Sequence, residues 1–241
     1  MSPPGRPKGE YRSAQHEGTP VSGAAVVHLA CATVAALLRE APPASAWLGP
    51  GESARLSALR SESRRAQFLA ARWQARRLLA QAAGGTPTEW MLDAPNDAPP
   101  LVAGRPDLFL SISHSGERTA CALATQAIGL DLEQPRRRRD IQGLVALCCT
   151  PREQAMFAGL PENERDSLFH QLWTVKEAWL KRRGDWVAPR RLAQLDCTPA
   201  AQGEVRCWRG EDWQLAVTAQ DVRWWTEAPA PSTSWTVRDA A

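Results

Sequence analysis

Apolar residues recur at three- and four-residue steps between Glu52 and Ala83. Leu56, Leu59, Phe68, Leu69, Trp73 and Leu79 carry the pattern and predict helix. Ser61 or Ser63 can divide this stretch, and Gly84-Gly85 ends it as a C-terminal cap does. Upstream, the run from Ala24 to Ala30 predicts a buried strand, followed by helix over Val34 to Arg39 that Pro42-Pro43 terminates. Asp93 to Gly104, rich in Pro and Asp, reads as a loop. Three strands are predicted after it, at Leu108–Ser113, Thr119–Ala124 and Ile128–Glu133. The last alternates cleanly: Ile128, Leu130 and Leu132 point one way, Gly129, Asp131 and Glu133 the other. Two carboxylates therefore project about 7 Å apart on one strand face. Thr150-Pro151-Arg152-Glu153 is a helix start, with Thr as N-cap, Pro at the first position and Glu completing a capping box. A second long helix runs from about Glu162 to Arg183 and stops at Gly184, with Leu168, Phe169, Leu172, Trp173, Trp179 and Leu180 apolar. Glu204 to Glu227 reads as two or three short Trp-rich strands. No internal repeat is legible.

The ends of the chain read differently. Residues 1–23 are rich in Pro, Gly, Ser and charge, and predict a disordered tail. Residues 229–241 are expected to be loose as well. At 241 residues the chain suits one large domain or two small ones. Lys and Arg number 29 against 26 Asp and Glu, a net charge of +3 that is too small to imply nucleic-acid binding. No apolar run reaches the roughly 18 residues of a membrane span. The first residues lack the apolar stretch of a signal peptide. Six cysteines, none in a C-x-x-C pair, spell neither a zinc site nor a disulfide framework. A soluble, cytoplasmic protein is the expectation.

Four features bear on chemistry. Arg65, Arg72 and Arg76 line one stripe of the first long helix, as either a solvated flank or a phosphate grip. Ser111-Ile112-Ser113-His114-Ser115-Gly116 ends a strand with hydroxyls, an imidazole and a tight turn. That combination suits phosphate oxygens, or is an ordinary polar hairpin. Asp131 and Glu133 are either the polar face of an amphipathic edge strand or a functional pair, since acids are poor strand formers and two like charges on one face repel. A divalent cation would resolve their repulsion, Mg²⁺ in particular, since it takes a few carboxylates plus substrate phosphates. Glu177 and Lys181 sit at i and i+4 beside Trp173, as a surface ion pair or something less exposed. Arg136 to Arg139 reads as a solvated loop, or as a surface for an acidic partner.

Their order along the chain carries more than any one of them. An Arg-rich helix, then SHSG, a G-L-D-L-E strand, T-P-R-E and W-T-V-K-E-A-W-L-K resembles the 4′-phosphopantetheinyl transferases of the surfactin-synthetase-activating type. The resemblance runs from roughly Arg64 to Gly184, about half the chain. It implies an α/β (α+β) fold: a pseudo-dimer of two similar halves with the active site at their interface. The halves would cover residues 24–115 and 116–228, with Glu204–Glu227 completing the second sheet, in a monomer.

The resemblance also implies an enzyme that moves the 4′-phosphopantetheine arm of coenzyme A to a serine of an acyl or peptidyl carrier protein, leaving 3′,5′-ADP. Carriers of the fatty-acid, polyketide and nonribosomal-peptide types all fit. By similarity Asp131, Glu133 and Glu177 would be Mg²⁺ ligands. Ser113 and His114 would contact coenzyme A phosphates, and Arg76 the 3′-phosphate region, with Arg72 and Arg65 as neighbours. Lys181 would bind the diphosphate and stabilise the leaving group, and Glu177 would accept the serine proton directly or through water. Asp131, Glu177 and Lys181 thus form the expected catalytic set. Lys176 would organise its helix and Glu153 would serve as a cap. One departure stands out. Relatives often carry a Gly-Lys-Pro-like element before SHSG, where this chain reads Asn96-Asp97-Ala98-Pro99-Pro100-Leu101. Arg105 is the nearest basic substitute.

Overall fold

A computed structural model describes residues 25–93, 99–134, 140–185, 187–220, 222–225 and 232–240. The predicted N-terminal tail, the core of the Asn96 loop and Arg136–Arg139 lie outside them.

Strand β1 (Ala25–Thr33) runs into helix α1 (Val34–Glu40), whose N-cap is the Thr33 hydroxyl. Helices α2 (Pro50–Ala58) and α3 (Glu62–Ala83) follow, with Ser61 as the divider that caps α3. Gly84 ends α3 at φ 85°, a backbone region that favours glycine. The two-residue strands β2 (Leu92–Asp93) and β3 (Leu101–Val102) pair with each other on either side of the Pro-rich loop. Strands β4 (Phe109–Ser115), β5 (Arg118–Ala124) and β6 (Gly129–Glu133) come where the alternation places them.

Helices α4 (Ile141–Cys148), α5 (Pro151–Met156), α6 (Glu162–Arg183) and α7 (Pro189–Leu192) fill the next stretch. Thr150 and Glu153 form the expected capping box of α5. The chain closes with β7 (Leu195–Pro199), β8 (Val205–Arg209), β9 (Gln214–Thr218), β10 (Val222–Trp225) and β11 (Thr233–Asp239).

Two sheets result, in the orders β10-β1-β5-β4 and β6-β9-β8-β11-β7. Helix α3 covers the first through Ala75, Leu78 and Leu79, packed on Leu110, Cys121 and Leu123. Helix α6 covers the second through Phe169, Leu172, Val175 and Ala178, packed on Val205, Cys207 and Ala216. A third core lies where the sheets meet: Val27, Leu29, Ala120 and Ala122 of the first against Leu130, Leu132, Leu215 and Val217 of the second. The fold is therefore α+β, with two similar halves each made of a sheet and one long helix.

The likeness extends to detail that the sequence hides. Helices α3 and α6 have 22 residues each, and position 62 of one corresponds to position 162 of the other. At this offset Glu62, Arg65, Trp73 and Gly84 face Glu162, Arg165, Trp173 and Gly184. Each long helix also holds a buried cation that pairs with the third residue of a short helix whose first residue is proline. Arg76 pairs with Glu52 of α2, and Lys176 with Glu153 of α5. So few shared residues leave the repeat invisible until the elements are in place.

Three expectations need correction. A boundary at 115/116 would part β4 from its antiparallel partner β5, which pairs with it from Phe109↔Ala124 to Ser115↔Arg118. The change of sheet falls between β5 and β6 instead. The Trp-rich region does not all join the second sheet, because β10 lies parallel to β1 in the first. Residues 233–239, expected to be loose, form β11 between β7 and β8. Its Trp235 and Val237 are buried in the α6 core, an alternation that the flanking Ser and Thr residues conceal.

Candidate active site

Strand β4 is the edge of the first sheet and β6 the edge of the second, and the two lie side by side at the seam. An edge strand leaves alternate N–H groups unpaired. Here serine side chains of β4 reach across: Ser111 Oγ accepts from the Leu130 N–H at 2.9 Å and Ser115 Oγ from the Gln134 N–H at 3.0 Å. Ser113 Oγ donates to Asp131 Oδ1 at 2.9 Å, and Ser115 Oγ to Glu133 Oε2 at 3.3 Å.

Asp131 faces α6 from β6, and Gly129 makes the approach possible. A Cβ there would lie 1.9 Å from the Ala178 carbonyl oxygen and 2.5 Å from the Arg182 nitrogen. The strand backbone thus touches the helix backbone, a contact only glycine permits. Lys181 Nζ lies 2.5 Å from Asp131 Oδ1 and 3.5 Å from Glu177 Oε2. The i, i+4 pair is accordingly part of a three-membered network at the seam, half-buried itself and resting on the buried Asp131.

The electrostatics follow from that burial. Glu177 is pushed up to about 7 by desolvation first, then by the Asp131 carboxylate, with Lys181 opposing and Glu133 adding to the rise. Burial works against the charge of Lys181, yet Asp131 and Glu177 outweigh it and hold the ammonium above the ordinary lysine value. Asp131 and Glu177 thus share one lysine, with the Glu133 charge close by. Asp131 Oδ2 is buried and has no hydrogen-bond partner. An orphan carboxylate oxygen among excess negative charge suits a hard cation such as Mg²⁺. Among the described residues no group of three acidic, His or Cys side chains is drawn together as an ion would draw them.

His114 points to the other face of β4, toward α3. Burial first, then Arg64 and Lys181, holds its imidazole below the ordinary histidine value, and its Nδ1 has no hydrogen-bond partner. Arg72 is also buried, stacked on the Phe68 ring at 5.2 Å, with Nη1 unpartnered. Its Nε is 3.8 Å from Glu52, and it bears on the His114 charge.

Arg76 does not join this group. It is fully buried, donates to both Glu52 carboxylate oxygens at 3.1 and 2.5 Å, and lies over the Trp47 ring at 4.9 Å. Glu52 also accepts the Gly49 N–H, so this pair anchors the start of α2 to α3. A guanidinium so consumed has no donors facing solvent for a phosphate. The structure thus places Arg76, expected from the sequence to contact the nucleotide, on Glu52 rather than at the seam. Arg65 donates to the Leu56 carbonyl and Arg105 grips Asp107 with two hydrogen bonds, both at exposed positions.

Lys176 points away from the seam, its ammonium bonded to Glu153 and to the Cys148 and Leu192 carbonyls. Glu153 in turn accepts from the Thr150 and Cys197 backbone. The pair ties α4, α5, α7 and β7 to α6. The sequence marks Ser111 and Ser115 only as part of a possible phosphate turn, not as partners of the acidic strand, and does not mark Gly129 as a close helix contact. The S-x-S-x-S alternation and the glycine opening the acidic strand were the available signals.

The sequence profile of the 4′-phosphopantetheinyl transferase superfamily matches residues 127–233. The chain is 30% identical over 166 residues to 4′-phosphopantetheinyl transferase HetI of Nostoc sp., covering 67% of this chain and 70% of that protein. It is 32% identical over 147 residues to 4′-phosphopantetheinyl transferase AcpT of Salmonella typhi, covering 60% and 71%. Against 4′-phosphopantetheinyl transferase Sfp of Bacillus subtilis it is 29% identical over 90 residues, covering 35% and 37%. A profile that takes in the acidic strand and α6, together with the match to HetI across 70% of its length, shows that the chain belongs to the 4′-phosphopantetheinyl transferase superfamily and is an enzyme of that class.

Proposed function

We propose that this protein transfers the 4′-phosphopantetheine arm of coenzyme A to the serine of an acyl or peptidyl carrier protein, with Mg²⁺ as cofactor and 3′,5′-ADP as the product released. The observation that carries the reading is the seam cluster. Asp131 and Glu177 share Lys181, the outer Asp131 oxygen is buried without a partner, and Glu177 is poised near neutrality.

In this reading Asp131, Glu133 and Glu177 hold the ion. Bound there, Mg²⁺ would neutralise the diphosphate of coenzyme A as its phosphoanhydride bond breaks. Lys181 pairs with the diphosphate and stabilises the departing 3′,5′-ADP. Glu177 takes the proton of the carrier serine, directly or through water. In the ion-free chain burial and the neighbouring Asp131 charge raise the affinity of Glu177 for a proton, the direction that a proton acceptor needs. His114 and Arg72, with unpartnered nitrogens on the α3 side of the seam, supply donors to the phosphates. Arg gives a permanently charged, forked grip. Ser113 shares its hydroxyl between Asp131 and the substrate side. Attack of the serine oxygen on the β-phosphorus then depends mainly on positioning and charge.

Both halves of the site come from one chain, which supports a monomer. The working halves are 25–124 with β10, and 129–220 with β11. The order of motifs supports the surfactin-synthetase-activating type; fatty-acid, polyketide and peptide carriers all remain candidate acceptors. The test is the intact mass of an apo carrier protein after incubation with the chain, coenzyme A and Mg²⁺. Gain of one phosphopantetheine, prevented by a chelator, is the expected result. No gain on carriers of all three types, with coenzyme A still bound, would replace the proposal with a noncatalytic binding module.

A further inference from the structure

We infer that the alternate serines of β4 are positioning residues for the acidic strand, with Ser115 setting Glu133 as Ser113 sets Asp131. This rests on the proposed role of those carboxylates. The three hydroxyls fall at period two on one face of β4, so all three point across the seam. Ser111 and Ser115 satisfy the Leu130 and Gln134 N–H groups of the free edge of β6, one on each side of the acids. That fixes the register and height of the strand. Ser113 and Ser115 then spend their protons on the carboxylates themselves. A carboxylate held through one oxygen has its rotamer fixed and its other oxygen aimed, which is the state of Asp131, with Oδ1 bound and Oδ2 buried and free.

Ser115 performs both tasks at once. Its Oγ accepts from the Gln134 N–H at 3.0 Å while donating to Glu133 at 3.3 Å. The hydroxyl is the smallest side chain that can do this, since alanine offers neither function and cysteine is weak in both. The first sheet therefore contributes to the charged site through side chains bonded to the carboxylates and to the strand beneath them, a layer of support whose loss typically weakens ion binding by about 10- to 100-fold.

The experiment uses the intact chain and Mn²⁺, followed by the paramagnetic signal of the free ion, alongside the steady-state kinetics of transfer. Ser115→Ala is expected to weaken Mn²⁺ binding about tenfold. It should raise the Mg²⁺ concentration for half-maximal transfer to match, with the KM for coenzyme A within about twofold of the parent. Ser115→Thr, which keeps the hydroxyl, is expected to restore both. Unchanged Mn²⁺ affinity in Ser115→Ala, or equal weakening in the Ala and Thr variants, would overturn the inference while leaving the assignment of the acids intact. Absence of Mn²⁺ binding by the parent chain would overturn both together. Should Ser115→Ala not fold by thermal melting, Ser113→Ala carries the Mn²⁺-binding arm of the test through Asp131, with weaker Mn²⁺ binding expected and unchanged binding overturning the inference.

Discussion

Replacing Arg76 by alanine takes a guanidinium from the middle of α3 and leaves Glu52 buried without its partner. Both residues are fully enclosed, the two carboxylate oxygens lie at 3.1 and 2.5 Å from Arg76, and among the described residues the Gly49 N–H at hydrogen-bond distance and the Arg72 Nε at 3.8 Å are what remain to offset the Glu52 charge. Removing one member of a buried ion pair costs about 3–5 kcal/mol, because the other charge stays desolvated. For a chain of this size each kcal/mol moves the melting temperature by roughly 2–4 °C. A fall on the order of 10 °C is therefore expected, with the KM for coenzyme A little changed. The double variant Arg76→Met with Glu52→Leu should recover much of the loss, since it removes both charges and retains apolar bulk. Differential scanning fluorimetry and initial-rate kinetics read the two effects separately. A melting temperature within about 2 °C of the parent, combined with a large rise in KM for coenzyme A, would refute the structural role and return Arg76 to the phosphate site.

Three further outcomes follow from the geometry. Asp131→Asn keeps the shape but removes the charge shared with Lys181, so transfer to an apo carrier should fall by about 100-fold or more while circular dichroism is unchanged; near-parent turnover would remove Asp131 from the site. Glu177 binds its proton more tightly in the folded chain than its ordinary value of 4.5 implies. The folded state thus holds more protons than the unfolded one between about 4.5 and 7, and this group makes stability fall as pH rises through that window. Urea unfolding of the metal-free chain at pH 5 and pH 7.5 should show this slope reduced in Glu177→Gln, and identical slopes would contradict it. Gly129→Ala forces a methyl into the Ala178 carbonyl at 1.9 Å, so α6 must shift away from β6. Loss of several °C in melting temperature and of nearly all transfer is expected, and a parent-like variant would mean the strand and helix are not in backbone contact.

Residue patterns resolve the charged site better than they resolve its supports. Asp131 and Glu133 were legible because a five-residue strand with strict alternation leaves no choice of face, and the Glu177–Lys181 spacing fixes a helical neighbour pair. What periodicity could not supply was which element lies opposite which. The Arg65, Arg72 and Arg76 stripe looked uniform along α3, yet α2 folds over one end of it and takes Arg76 for Glu52. Arg72 stays near His114, and Arg65 caps the end of α2. β11 escaped notice because its polar alternates and the Pro-rich stretch before it resemble a tail, whereas its neighbours β7 and β8 supply the burial. In the same way, β10 reads like its Trp-rich neighbours, and only the pairing with β1 reveals its sheet.

That exchange of β10 has a consequence for how the molecule comes apart. The chain leaves the second sheet after β9, lays β10 along β1, and returns with β11 to the middle of the second sheet. The first sheet is complete only with β10 and the second only with β11. A polypeptide cut between β5 and β6 would yield one piece without a border strand and another with a strand that has no sheet to join. The two pieces should regain structure only when mixed, as in fragment complementation, and the whole chain should melt in one cooperative transition despite its several cores. During synthesis the first half waits for the last.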